Sequence, residues 1–172
     1  HVYHIHADQS DCLWFGTDKG VLKLDPSNRF QVLTERDGLS DNTVYSIYED
    51  LAHELWFGTR VNLSKYNGFR FKHITHAGIP IGERIWAIAP DVHSGALLLS
   101  NSGELSRLHH NTIDLIHWNT SGNFQNPQAL CKADEIHYIA SQTGLSALNA
   151  NSVNHFTDSS GYLNSINTMA YH

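Results

Sequence analysis

The chain has 172 residues, 41% of them apolar and 16% charged, a balance that supports a buried core and excludes a disordered chain. With 17 acidic against 11 basic side chains the formal charge is −6, and no Lys/Arg cluster could neutralise phosphates, which excludes nucleic acid as a partner. No apolar run approaches the roughly eighteen residues that a membrane-spanning helix needs, and the N-terminus lacks the charged, apolar, small-residue order of a signal peptide.

Short apolar and β-branched runs follow one another from the start of the chain, separated by turn residues. The first predicted strand places His4 and His6 on one face, the beginning of a metal site only if a third ligand converges. Other histidines of the 13, such as His53, His73, His76, His93, His109, His110 and His117, fall in turns or on outer strands in no ligand spacing, so no metal and no cofactor is expected. Next comes Leu13-Trp14-Phe15-Gly16-Thr17, then Gly20-Val21-Leu22-Lys23-Leu24, then Phe30-Gln31-Val32-Leu33-Thr34. The order then repeats: Val44-Tyr45-Ser46-Ile47-Tyr48, Leu55-Trp56-Phe57-Gly58-Thr59, Leu63-Ser64-Lys65-Tyr66 and Phe69 to Ile74. Weaker copies follow in Leu97 to Asn101 with Leu105 to Leu108, and in Ile136 to Ser141 with Leu145 to Leu148. Val21, Leu63, Leu105 and Leu145 head the corresponding strands, which sets a period of about 40–42 residues. Two further markers keep that period, Asp8, Asp50, Asp91 and Asp134 at one turn and Gly38, Gly78, Gly122 and Gly161 at another.

Four strands per unit, nearly continuous in apolar character early and alternating late, describe an antiparallel sheet buried at a hub and exposed at its rim. The predicted fold is all-β: a β-propeller with four consecutive four-stranded blades, over 1–43, 44–83, 84–126 and 127–164, and the opening strand of a fifth at 165–172. Trp14, Phe15, Trp56 and Phe57 are assigned to the core between blades. Gly16 and Gly58 are read as sites of close blade approach, with Ser100 and Ala140 as their counterparts. The recurrent aspartates are turn formers, and Cys12 and Cys131 are read as buried free thiols.

The series Leu13 to Thr17, Gly20 to Leu24, Phe30 to Thr34, Asp37-Gly38-Leu39-Ser40-Asp41-Asn42-Thr43-Val44 and Ile47-Tyr48-Glu49-Asp50 resembles the two-component regulator propeller repeat. The resemblance implies a segment of a larger, usually seven-bladed propeller in the periplasmic sensor region of a bacterial receptor, attached to the membrane only through segments outside this sequence. It also implies a non-catalytic module that binds or senses a ligand.

Binding in a propeller falls to the loops that enter each innermost strand at one channel mouth. Those loops nominate Arg36, Asn42, Arg84, Trp86, Phe124, Asn126, Tyr162 and Asn164: amides, two guanidinium groups and aromatic faces suited to a small polar or carbohydrate-like ligand. No nucleophile stands beside a base in the linear order, so catalytic residues are not expected. The alternative functions are a protein-interaction scaffold and, behind it, a propeller lyase or glycosidase. Self-association through open blade edges is the expected macromolecular contact.

Overall fold

The computed structural model describes residues 1–74, 84–91, 95–109, 112–116, 124, 126–142, 144–149 and 152–156. They form four antiparallel four-stranded sheets, each a meander of strands consecutive in the chain. The first blade is β1 (Val2–Ala7), β2 (Leu13–Thr17), β3 (Gly20–Leu24) and β4 (Phe30–Leu33); the second is β5 (Val44–Glu49), β6 (Leu55–Thr59), β7 (Leu63–Tyr66) and β8 (Phe71–Ile74). The third is β9 (Ile85–Pro90), β10 (Ala96–Ser100), β11 (Leu105–His109) and β12 (Thr112–Leu115); the fourth is β13 (Pro127–Ala133), β14 (Ile136–Ser141), β15 (Gly144–Leu148) and β16 (Val153–Phe156). The first strand of each blade lies beside the first strand of the next, β1 by β5, β5 by β9 and β9 by β13, so these four line the hub. The fold is a propeller segment, as the repeat predicts.

Neighbouring blades bury one apolar layer between them. Trp14 and Val21 of the first blade meet Ile47, Leu55, Phe57 and Tyr66 of the second. Trp56 and Leu63 of the second meet Ile88, Leu98 and Leu108 of the third, and Leu97, Leu99 and Leu105 of the third meet Leu130, Ile139 and Leu148 of the fourth. Each blade therefore presents its tryptophan position forward and its phenylalanine position backward. Trp14, Trp56 and Phe57 are fully buried in this way, whereas Phe15, on the backward face of the first blade, is only half-buried.

The turns explain the aspartates. Asp8 accepts the amides of Ser10 and Cys12 and the Trp14 indole N–H at 2.7 Å. Asp50 does the same for Ala52, Glu54 and, at 2.8 Å, Trp56. Lys23 and Lys65 lie 4.8 and 4.5 Å above the two indole rings. In the third blade Asp91 takes the Arg107 Nε–H instead, and Asp134 sits at φ 53° inside the tighter β13–β14 turn, so the fourth marker has a different role.

The third blade corrects one alignment. Asp8, Asp50 and Asp91 each donate their amide to the carbonyl four residues on, which makes Ala96, and not Leu97, the counterpart of Leu13 and Leu55. Leu99 pairs with Ala87 as Gly58 pairs with Ser46, so the small-residue position of this blade holds a leucine and Ser100 corresponds to Thr59. The displaced residue is absorbed by the β10–β11 turn, where the Ser100 amide bonds Glu104. Ala140 does occupy the small-residue position of the fourth blade, paired with Ala129. Of the two cysteines, both free, Cys12 is buried and Cys131 half-buried.

Candidate functional site at the channel mouth

Each innermost strand carries one residue more than its neighbour can pair. Val44 pairs with Thr59 and Ser46 with Gly58, leaving Tyr45 unmatched. The same break leaves Tyr3 between Val2 and His4, Trp86 between Ile85 and Ala87, and Gln128 between Pro127 and Ala129. Such a bulge turns a side chain out of the regular alternation, and here it does so at one level in all four blades. The result is a row of rings across the hub: Tyr3 and Tyr45 have centroids 4.9 Å apart, and Tyr45 stacks on Trp86 at 5.1 Å with an interplanar angle of 28°. The Trp86 indole N–H then donates to the Gln128 carbonyl at 2.9 Å. Together with His4, Ala87 and Leu130 these residues line a cavity of about 210 Å³. Burial, reinforced by the nearby His6, lowers the His4 pKa to about 4, so its imidazole is neutral near physiological pH.

At the entrance the Arg84 guanidinium lies 4.8 Å over the Tyr45 ring and 5.9 Å from the Trp86 ring. A second cavity of about 360 Å³ opens here, lined by Arg84, Trp86, Asn101, Asn126, Gln128 and Gln142 among others. Asn126 Nδ2 donates to Gln142 Oε1 at 2.5 Å, and Gln128 Nε2 to the Asn126 carbonyl at 3.1 Å. Elsewhere on this rim two ion pairs form: the N-terminal ammonium of His1 with Asp18 at 2.8 Å, and Arg60 with Asp41 at 3.0 Å. Arg84 has no carboxylate partner among the described residues; its neighbour across the turn is Asn101, whose amide bonds the Arg84 carbonyl at 2.9 Å.

The loop residues nominated from the sequence separate in the structure. Arg84, Trp86 and Asn126 converge on the second cavity. Arg36 is exposed on a 3₁₀ turn, Glu35–Asp37, closed by a Thr34/Asp37 capping box and by Gly38 at φ 103°. Asn42 ties that turn down, its Oδ1 accepting the Glu35 amide and its own amide donating to Glu35 Oε1, both at 3.0 Å. Phe124 is 5% exposed and belongs to the core between the third and fourth blades, so it is a packing residue in place of a mouth residue. Tyr162 and Asn164 lie outside the described residues, as do Gly78, Gly122 and Gly161. Tyr3, Tyr45 and Gln128 stand on the innermost strands, as Trp86 does, outside the entry loops that supplied the candidates. The signal that reveals them is an aromatic in the second place of three successive innermost strands.

A hydroxyl network fixes the loop above the second blade: Ser40 Oγ lies 3.0 Å from Thr59 Oγ1 and 2.7 Å from Ser64 Oγ, and the Ser40 amide donates to Ser64 Oγ. At the far end of the hub Glu49 lies between two imidazoles, 3.5 Å from His6 Nε2 and 3.1 Å from His53 Nδ1. Among the described residues no three His, Cys, Asp or Glu side chains converge to hold a metal ion.

Residues 38–60 match the two component regulator propeller family. No curated protein matches the chain by sequence. Among solved structures, the chain is similar to the extracellular domain of a hybrid two component system from B. thetaiotaomicron, at 20% identity and a TM-score of 0.77, over 97% of this chain and 24% of that one. A second extracellular domain from the same organism matches at 20% identity and 0.74, over 93% and 23%. Virginiamycin B lyase from Staphylococcus aureus, in an inactive variant with quinupristin, matches at 11% identity and 0.75, over 92% and 56%. The chain thus spans from about a quarter to just over half of these structures, and at such identities the likeness is one of fold.

Proposed function

We propose that this chain, which carries the two component regulator propeller repeat, is the sensing segment of an extracytoplasmic receptor and binds a small polar or sugar-like ligand, without catalysis, at the channel mouth. The observation that carries the reading is the bulge row, Tyr3, Tyr45, Trp86 and Gln128, set against the amide-lined entrance. Four independent bulges at one level aim their side chains at one space, which packing of the blades does not require. Flat aromatic faces with nearby amides are how proteins hold polar ligands that have an apolar face. The extracellular domains that share the fold support the location and the sensing role. The likeness to the lyase is distant in sequence and brings no activity with it.

The test is thermal denaturation of the chain in the presence of a panel of neutral and acidic oligosaccharides. At least one member should raise the midpoint by several degrees, and Trp86→Ala and Tyr45→Ala should each abolish that rise. A stabilisation that survives both substitutions, or no stabilisation by any member, overturns the proposal.

A further inference from the structure

Resting on the reading of the mouth as the ligand site, we infer that its ligand carries one carboxylate, and that Arg84 is the residue that binds it. Among the described residues Arg84 is the cation lining this entrance, and its neighbours there, Asn101, Asn126, Gln128 and Gln142, are neutral amides. A guanidinium presents its N–H donors in a planar fork that matches a carboxylate. Two other charged pairs on the rim are matched, Asp18 to the N-terminal ammonium and Arg60 to Asp41. Among the described residues the Arg84 guanidinium meets the ring faces of Tyr45 and Trp86, a contact that holds its plane and leaves its edge for hydrogen bonding.

The charge count selects the class of anion. Among the described residues lining this entrance a single guanidinium stands among neutral amides and balances one negative charge; a phosphate dianion would leave one uncompensated in a chain whose formal charge is −6. Trp86 touches both cavities, so a ring seated beside its indole brings a ring substituent within reach of Arg84. The ligand class is therefore a cyclic polar compound with one carboxylate, of which a hexuronic acid is the simplest example.

Galacturonate and galactose form a matched pair that differs only in that group. Each would be titrated into the full chain while the Trp86 indole N–H resonance, assigned with Trp86→Phe, is followed by NMR. Galacturonate should bind about ten-fold more tightly than galactose, added salt should narrow the difference, and Arg84→Gln should bring the two together. Arg84→Lys, which keeps the charge and loses the fork, should retain part of the preference and guards against a folding defect in the glutamine variant. Equal binding of both sugars to the unsubstituted chain, or an undiminished preference in Arg84→Gln, overturns the carboxylate inference and leaves the mouth as the site. No movement of the Trp86 signal with either sugar overturns the hexuronic acid inference, while the reading of the mouth as a ligand site stands or falls with the denaturation panel.

Discussion

His4 shows how much of a residue's behaviour comes from its place in the hub. Its imidazole titrates near 4 in the fold and near 6.5 in the open chain, because burial and the adjacent His6 oppose its charge. Between those values the unfolded state binds more protons than the folded one. Stability is therefore fully present above pH 6.5, is lost as the pH falls towards 4, and levels off below. The whole difference corresponds to about 3 kcal/mol. His4→Gln removes this titration and leaves the other histidines in place. Urea unfolding across the window should show the variant gaining on the parent by about 2–3 kcal/mol as the pH falls. A constant difference between the two would mean that the His4 imidazole is solvated in the folded chain. No carboxylate lines the His4 cavity among the described residues, so His4, one of the pair singled out in the sequence, serves the cavity wall in its neutral form, while His6 Nε2 lies 3.5 Å from Glu49.

At the level of the strand the small-residue position is where the blades constrain one another most. A Cβ on Gly58 would lie 2.2 Å from Ser46 Oγ and 2.8 Å from the Ile85 carbonyl of the next blade; one on Gly16 would lie 2.8 Å from the Val44 carbonyl. Gly58→Ala should cost about 2 kcal/mol or more, read from the denaturant midpoint. Adding Ser46→Gly should recover only part, since the Ile85 backbone cannot withdraw. Full recovery would place the strain within the blade instead of between blades. The third blade solves the same problem differently, seating Leu99 opposite Ala87, which has no hydroxyl to displace. That substitution bears on what the sequence shows and hides. The aromatic pairs Trp14-Phe15 and Trp56-Phe57 declare the strand register of two blades, and the run Leu97 to Leu99 declares none, because its residues are interchangeable in pattern. The spacing from Asp91 carried the register all the same, since the amide-to-carbonyl span of that turn is constant in the first three blades. The bulges are invisible in composition because they arise from a mismatch between paired strands. Arg84, Trp86 and Asn126 were thus legible in the sequence, whereas Tyr3, Tyr45 and Gln128 of the same site were not.

For the molecule as a whole, the repeat makes the backward face of the first blade a blade interface without its blade among the described residues. Ile5, Leu13 and Phe15 correspond to Ile47, Leu55 and Phe57 of the second blade, which are 2, 4 and 0% exposed against the first. On the first blade Ile5, Phe30 and Val32 are 60, 65 and 58% exposed, and they share that face with the half-buried Phe15 and Leu22. An apolar sheet face of this kind is an association surface in water. The isolated chain should therefore show a mass above that of the monomer by light scattering, increasing with concentration. Phe30→Glu combined with Val32→Glu should return it to the monomer with its circular dichroism unchanged, because both positions already face solvent and neither supports the core between the first and second blades. Association that persists in the double variant would move the contact elsewhere. Its loss would mean that the face needs another blade to cover it, and that the ring around the channel mouth is completed by more than these four sheets.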